Sequence, residues 1–143
     1  MIVLDTTVLV YATGGEHPLR EPCRHLIRLL ADGDLRATTT IEVVQEYVHV
    51  RSRRVSRADA VLQARAYADL LGPLLVSHEA ALMSGLEVFA ASDRLGAFDA
   101  VLTAVARSAD ASALVSADRA FAAVPGLRHV LPDEKGVQQL LML

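Results

Sequence analysis

The sequence predicts an α/β domain in which a mainly parallel sheet of about five strands is flanked by helices. Short apolar runs alternate along the chain with longer segments of helical periodicity, and this alternation requires crossover connections between parallel strands. The strand candidates are apolar almost throughout, as expected for strands covered on both faces. The length of 143 residues suits one domain spanning 1–143, and no repeat, low-complexity tract or linker divides it.

Five elements are predicted in the first half of the chain. Residues 1–5 (MIVLD) form the first strand, a continuous apolar run that stops at an aspartate. A helix follows at 17–33, with apolar side chains at helical spacing and a glycine stop, and a short strand comes next at 35–39. Helices are then predicted at 40–54 and 56–72. The second of them begins with serine and aspartate at capping-box spacing and ends at a glycine before proline.

The second half of the chain continues the alternation. Residues 73–77 (PLLVS) are a third strand candidate, followed by a helix at 78–92 and a strongly apolar helix at 96–109. The last elements are a strand at 112–116, a short helix at 117–124 and a strand at 127–131. Five strands and their connecting helices therefore account for nearly the whole chain.

Composition separates this chain from membrane and disulfide-rich proteins. Hydrophobic residues make up 52%, yet no apolar run approaches the roughly 18–20 residues of a membrane span. The first residues lack a basic segment and Asp5 interrupts them, so no signal peptide is expected. Cys23 is the only cysteine, which fits a reducing, cytoplasmic location. The apolar excess indicates either a large core or a face covered by another chain.

Arginines are concentrated in one segment, although the net charge of the chain is −3. The segment VRSRRVSR carries Arg51, Arg53, Arg54 and Arg57. Such a cluster can be a solvated helix end, because cations are favoured near a helix C-terminus. It can also be a phosphate-binding patch, because the planar guanidinium fork suits phosphate. The residues alone leave both interpretations open.

A carboxylate ends the most apolar strand of the chain. Asp5 closes the first strand, and Asp118 lies just beyond the strand at 112–116. In open parallel sheets, ligands bind beyond the carboxyl ends of the strands. If these two strands are neighbours, their carboxylates meet at one end of the sheet. A carboxylate at the end of a core strand also needs a partner there.

Three further acids lie on predicted helices. Glu42 and Glu46 are four residues apart and share one helix face, while Asp99 stands near the start of an apolar helix. Structural roles are available as well, because acids such as Asp99 and Asp118 can cap a helix or lie in its first turn. Taken singly, these acids do not decide between structure and chemistry.

Four segments carry the candidate acids: MIVLDTTVLVYA, TTTIEVVQEYVHV, LGAFDAVLTAVA and LVSADRAF. Together they resemble the PIN-domain ribonucleases, and in particular the VapC toxins of bacterial toxin–antitoxin systems. They occur in the order, and at about the spacing, of the four acidic blocks of that family, and the resemblance runs from Met1 to about Pro132. It implies a single PIN-like domain and a metal-dependent endoribonuclease that acts as a toxin.

The resemblance assigns a role to each acid. Asp5 matches the first acid of the family, Asp99 the third and Asp118 the fourth. Glu46 is the better match for the second acid, with Glu42 as its rival or as a supporting residue. All four are expected to be catalytic and to contact the metal, Asp5 and Asp99 directly.

Hydroxyl side chains match supporting positions of the same family. Thr6 and Thr7 correspond to the polar turn after the first acid, although asparagine or serine is commoner where Thr7 stands. Ser116, two residues before the fourth acid, corresponds to a position often held by a small hydroxyl residue. These three residues are expected to support the acids rather than to react.

Mg²⁺ is the cofactor that the resemblance implies, with Mn²⁺ as a second possibility, because hard cations prefer oxygen ligands. A zinc site is disfavoured, since the only histidine–glutamate pair lacks a second histidine at the required spacing and one cysteine cannot form such a site. Glu46 and His49 have the Glu-x-x-His spacing of di-iron bundles, but only one copy occurs. The expected chemistry is hydrolysis of an RNA phosphodiester by water activated at the metal.

The expected partners are an RNA substrate, a cognate antitoxin that blocks the acidic cleft, and a second copy in a homodimer. The arginine cluster, with Arg94 and Arg119, is expected to contact RNA phosphates. Tyr47 and Phe98 lie close in sequence to the acids, but their aliphatic neighbours favour positions in the core. The RNA target, the number of ions and the dimer face stay open.

Two other functions use some of the same residues. An aspartyl-phosphate phosphohydrolase requires a second aspartate two residues after the first, and Thr7 occupies that place. A non-catalytic partner-binding module would use the acids only as helix caps. Such a module would bind no divalent metal strongly, and replacing Asp5 would leave its activity intact.

Overall fold

A four-stranded parallel sheet forms the centre of the computed structural model, which describes residues 1–143. The strands are β1 (Ile2–Leu4), β2 (Ala37–Thr38), β3 (Ala113–Val115) and β4 (His129–Val130), in the order β2-β1-β3-β4. Every residue of β1 and β3 is buried, as expected for the central strands of a covered parallel sheet. The predicted α/β class and parallel sheet are therefore confirmed.

Seven α-helices surround the sheet and cover its strands. They are α1 (Thr6–Thr13), α2 (Arg20–Ala31), α3 (Ile41–Arg54), α4 (Arg57–Leu71), α5 (Glu79–Ala90), α6 (Ala97–Ser108) and α7 (Glu134–Leu140). A short 3₁₀ helix, Arg119–Ala123, follows β3. The side chains of Asp5, Thr40, Ser56 and Asp133 cap their helices by accepting backbone N–H groups. No helix combines the length and the apolar character needed to cross a bilayer.

The structure differs from the predicted elements in three places. The third strand candidate makes only one isolated bridge, between Leu75 and Thr40, so the sheet has four strands where about five were expected. Pro73 has no N–H to extend that pairing, and the chain soon enters α5. Helices α1 and α7 were not predicted. Both start at an aspartate whose side chain accepts a backbone N–H of the first turn.

Strand register positions the ends of the two central strands side by side. In the β1–β3 ladder, Leu4 pairs with Val115, and the backbone N–H of Asp5 donates to the Val115 carbonyl at 2.9 Å. Asp5 and Ser116 are therefore the next residues of adjacent strands. The strands that end near Asp5 and Asp118 are therefore neighbours, as the predicted grouping of the two carboxylates requires.

Candidate active site

Asp5 is buried at the end of β1, and three donors hold one oxygen of its carboxylate. The residue is only 4% exposed. Oδ2 accepts hydrogen bonds from the Ser116 hydroxyl at 2.7 Å, the Thr7 hydroxyl at 2.7 Å and the Thr7 backbone N–H at 3.3 Å. No protein group donates to Oδ1. One carboxylate oxygen is thus fixed by the protein, and the other is left for a ligand.

The same hydroxyls connect Asp5 to the turn that carries Asp118. The Ser116 hydroxyl oxygen accepts the Asp118 backbone N–H at 2.9 Å, and the Thr7 hydroxyl oxygen accepts that of Ala117 at 3.0 Å. Asp118 in turn caps the 3₁₀ helix through a 2.8 Å bond from the Ala120 N–H to its Oδ1. Asp118 therefore caps a helix, as one interpretation of the sequence expected, and also lines the same pocket as Asp5.

Glu46 reaches the same place from α3. The buried hydroxyl of Thr6 donates to Glu46 Oε2 at 2.5 Å, which links the first turn of α1 to the middle of α3. Glu42 lies one helical turn earlier and does not line the pocket around Asp5, although one of its carboxylate oxygens is buried without a partner. The structure thus places Glu46, rather than Glu42, beside the other three acids.

Asp99 completes the group from the first turn of α6. Burial raises the pKa of its carboxyl group to about 7, and repulsion from Asp5, Asp118 and Glu46 adds to that effect. Mutual repulsion of this kind requires the four acids to lie close together. They line one pocket of about 330 Å³, together with Thr6, Thr7, Val10, Tyr11, Val50 and Arg54.

The pocket offers a hard divalent cation the ligand type it prefers. Its acids come from four different elements, and no histidine or cysteine lines it, so the donors are all oxygens. No three acidic, histidine or cysteine side chains lie close enough together to hold one ion. The four carboxylates therefore line the pocket from separate elements without converging on one point.

Arg54 is the basic side chain on the wall of the acidic pocket. It lies eight residues, or two helical turns, after Glu46 on α3 and forms no salt bridge. Arg51 differs, because its guanidinium Nε contacts Asp59 at 2.5 Å and a second nitrogen donates to the Thr13 carbonyl at 2.8 Å. Arg51 thus has structural partners that join three helices.

The other predicted RNA contacts are spread over the surface. Arg53, Arg57 and Arg119 are exposed near the ends of α3, α4 and the 3₁₀ helix. Arg94 is exposed as well, but it lines a different groove of about 920 Å³ between α5 and α6. Of the two aromatics expected in the core, Tyr47 is fully buried, whereas Phe98 is 37% exposed and that expectation was wrong.

Three pocket residues were missed from the sequence: Val10, Tyr11 and Val50. Val10 and Tyr11 follow Thr6 and Thr7 by one helical turn, so they reach the pocket only because α1 is a helix. The signal for Val50 was available, since it follows Glu46 by four residues on a predicted helix. Helical spacing from each predicted site residue would have found it.

Residues 2–127 match the family model of the PIN domain. The chain belongs to the PIN domain family. Within that family it groups with the VapC ribonucleases, being 54% identical over 142 residues to Ribonuclease VapC7 of Mycobacterium tuberculosis, with 99% of this chain and 98% of the relative covered. Ribonuclease VapC13 of the same species is 28% identical over 131 residues, covering 91% of this chain and 99% of that protein.

Solved structures of similar fold include two further VapC chains. VapBC2 from Rickettsia felis, bound to a promoter DNA fragment, matches with a TM-score of 0.72 and 19% identity, covering 92% of this chain and 98% of that one. Mycobacterium tuberculosis VapC20, a toxin that cleaves the sarcin–ricin loop, matches with a TM-score of 0.71 and 17% identity, covering 90% and 99%. At these identities the match shows the PIN fold alone.

Proposed function

We propose that this VapC-type PIN-domain protein is a Mg²⁺- or Mn²⁺-dependent endoribonuclease and the toxin of a VapBC-type toxin–antitoxin pair. The observation that carries the proposal is the pocket that Asp5, Glu46, Asp99 and Asp118 line together. A raised carboxyl pKa within a group of acids is typical of a site that binds a cation or handles protons. The 54% identity to a VapC ribonuclease over almost the whole chain supports the same activity.

The protein groups divide into those that bind the ion and those that orient the acids. Asp5 and Asp99 are the expected direct ligands, while Glu46 and Asp118, which are more exposed, bind it or orient the attacking water. When bound, Mg²⁺ or Mn²⁺ would neutralise the carboxylates, activate water and stabilise charge on the phosphoryl oxygens. The hydroxyls of Ser116 and Thr7 keep Asp5 in one orientation for that purpose.

Substrate binding requires cations outside the group of acids, because RNA is a polyanion. Arg54 is already on the pocket wall and has no competing carboxylate partner. Arg53 and Arg57 extend the same positive segment beyond the end of α3, and Arg119 adds a cation beside Asp118. Contacts of this kind supply affinity that falls as salt concentration rises.

Two protein partners follow from the family. The Rickettsia felis structure is that of a VapBC2 complex, and we infer an antitoxin for this chain that covers the acidic pocket with a basic side chain. A homodimer is the second expected assembly. The apolar side chains that α5 exposes are the surface we assign to it.

Cleavage of RNA with and without metal tests the function directly. A mixed pool of structured RNAs is incubated with the purified protein in Mg²⁺, Mn²⁺ or EDTA, beside the variants Asp5→Asn and Asp69→Asn. Asp69 is an exposed acid on α4 outside the pocket and serves as the matched control. We expect cleavage in either metal, none in EDTA, loss of at least about 100-fold in Asp5→Asn, and no loss in Asp69→Asn.

The same experiment separates the alternatives. If the protein neither cleaves RNA nor binds a divalent metal by calorimetry, the result favours the partner-binding module, whose acids serve only as caps. A stable phosphoprotein formed at Asp5 from a small phosphate ester would favour the aspartyl-phosphate chemistry. Thr7 stands where the aspartyl-phosphate chemistry needs an acid and already donates to Asp5, so the structure does not favour that alternative.

A further inference from the structure

The acidic pocket has an aromatic wall beside its carboxylates. Tyr11 lines the pocket from α1, and its ring stacks on the imidazole of His17, with centroids 4.2 Å apart and ring planes inclined by 21°. Tyr11 is half-buried and His17 is exposed, so the stack lies at the rim of the pocket and not in the core. The stack therefore has an exposed ring, His17, lying on a half-buried ring, Tyr11, that lines the pocket of acids.

Hydrogen bonds fix His17 and the end of the helix that carries Tyr11. The end of α1 is fixed to α3, because the Thr13 carbonyl accepts a 2.8 Å hydrogen bond from the guanidinium of Arg51. The backbone N–H of Leu19 donates to His17 Nδ1 at 3.1 Å, which orients the imidazole. The surface is thus formed before any substrate arrives, which lowers the entropic cost of binding.

We propose that Tyr11 and His17 form a stacking subsite for the nucleobase next to the scissile phosphate, a proposal that rests on the ribonuclease function above. Unpaired RNA bases are commonly bound by stacking on aromatic side chains, and every base has a face suited to it. A phosphodiester bound through a divalent ion at the four acids would bring its own base to the pocket rim. Arg54, on the α3 side of the pocket, contacts a neighbouring phosphate.

Fluorescence of 2-aminopurine measures this stacking without cleavage. The analogue is placed singly at each position of a short single-stranded RNA, which is titrated with protein in Mg²⁺. All proteins carry Asp99→Asn so that the RNA stays intact. We expect strong quenching at one position only, and loss of that quenching with weaker RNA binding, roughly 5- to 150-fold, on Tyr11→Leu.

Matched variants distinguish stacking from general damage. Tyr11→Phe retains the ring and is expected to keep both the quenching and the affinity. His17→Ala is expected to weaken both, whereas His25→Ala, which removes an exposed histidine of α2 that has no aromatic neighbour, leaves them unchanged. Tyr11 packs partly against the core, and should Tyr11→Leu fail to fold, His17→Ala at an exposed position decides the result.

A second substrate locates the effect on the base itself. An abasic nucleotide at the quenched position is expected to weaken binding to the protein with Tyr11, but not to the Tyr11→Leu variant. Equal losses with both proteins, or no quenching at any position, would overturn the subsite. Cleavage by the chain without Asp99→Asn is measured in parallel: cleavage without quenching removes only the subsite, and absence of cleavage removes the proposed function.

Discussion

Hydroxyl side chains, and not cations, hold two of the pocket carboxylates. Thr6 donates to Glu46, and Ser116 and Thr7 donate to the same oxygen of Asp5. A hydroxyl orients a carboxylate without neutralising it, so the negative charge stays available for a metal ion. The protein therefore fixes the geometry of these acids while leaving their charges uncompensated. The pKa of Asp99 is raised as a result, because this carboxyl group is partly buried and is repelled by the other three acids.

Asp99 makes stability depend on pH in an unusual direction. Its pKa is raised from 3.8 to about 7, chiefly by burial, so between these values the folded protein binds a proton that the unfolded chain releases. The free energy of unfolding contributed by this group therefore falls as pH rises from about 4 to about 7. Because the side chain is partly exposed, solvent screening reduces the size of the effect. The direction of the dependence is opposite to that of a salt-bridged aspartate.

Thermal unfolding between about pH 5 and pH 8 checks this dependence. We expect the Tm of metal-free protein to fall across this range, and the fall to be smaller in Asp99→Asn. Asp69→Asn, which changes an exposed acid of α4, keeps the slope of the unmodified chain. Mg²⁺ is expected to raise Tm more at the higher pH, because the proton and the ion compete for the carboxylate. Identical slopes in the unmodified chain and in Asp99→Asn would contradict this account.

At the scale of elements, the sequence predicted what hydrophobic periodicity controls. The central strands, the helices that carry Glu46 and Asp99, and the strand-end positions of Asp5 and Asp118 are confirmed by the structure. The TTVLV segment after Asp5 was harder, because its β-branched residues have little intrinsic preference for a helix. The cap at Asp5 and tertiary packing make it helical, and this brings Tyr11 to the pocket.

The hydrophobic pattern of the sequence does not predict which side chains pair with each other. Four neighbouring arginines were equivalent in the sequence, whereas the structure distinguishes Arg51, bound to Asp59 and Thr13, from the unpaired Arg54. Asp59 was visible only as a capping residue of the next helix. Which arginine is structural depends on how α3 and α4 pack, and that packing is not encoded in the local spacing.

Arg51 joins three helices, and its removal is expected to destabilise their arrangement. Its guanidinium donates to Asp59 at the start of α4 and to the Thr13 carbonyl at the end of α1. Arg51→Ala should lower the free energy of unfolding by about 1.5–3 kcal/mol, the range for a hydrogen bond to a charged group. Arg51→Lys should recover only part of it, because one ammonium cannot reproduce the two-directional fork.

Urea unfolding measures this effect, with Arg53→Ala as the control. Arg53 is exposed on the same helix, so its removal is expected to change stability by less than about 0.5 kcal/mol. RNA binding gives the complementary test, since Arg54→Ala should weaken it without affecting stability. The assignment of Arg51 to structure fails if Arg51→Ala unfolds at the same urea concentration as Arg53→Ala.

At the scale of the whole molecule, helix α5 packs against α6 and leaves most of its residues exposed to solvent. Gly85 is its only buried residue, and a Cβ there would lie 2.7 Å from the Val101 Cα, so the backbones of α5 and α6 are in close contact at this point. The exposed surface of α5 carries Leu82, Leu86 and Phe89 in one stripe with Met83 beside it, each between 45% and 56% exposed. Apolar stripes of this kind typically mark protein interfaces.

A second copy of the chain is the occupant we expect on the α5 stripe. In a two-fold dimer the same surface meets itself, so an apolar stripe on a single helix is complementary to its own copy without any additional element. The stripe side chains are apolar and lie outside the pocket of four acids. They offer no cations to RNA phosphates, so RNA is not expected to bind there. Leu86 lies inside the stripe, and a charge there would be buried without a partner in the dimer.

Light scattering coupled to size-exclusion chromatography tests this assembly. We expect twice the mass of the chain for the unmodified protein and a monomer for Leu86→Glu at micromolar concentration. Leu62→Glu is the matched control, because Leu62 is 67% exposed on α4, away from the stripe, and its replacement should leave the dimer intact. A monomeric unmodified chain would assign the stripe to a different partner, and the antitoxin would then be tested by whether Leu86→Glu prevents its binding. A dimer that survives Leu86→Glu would move the interface to another face.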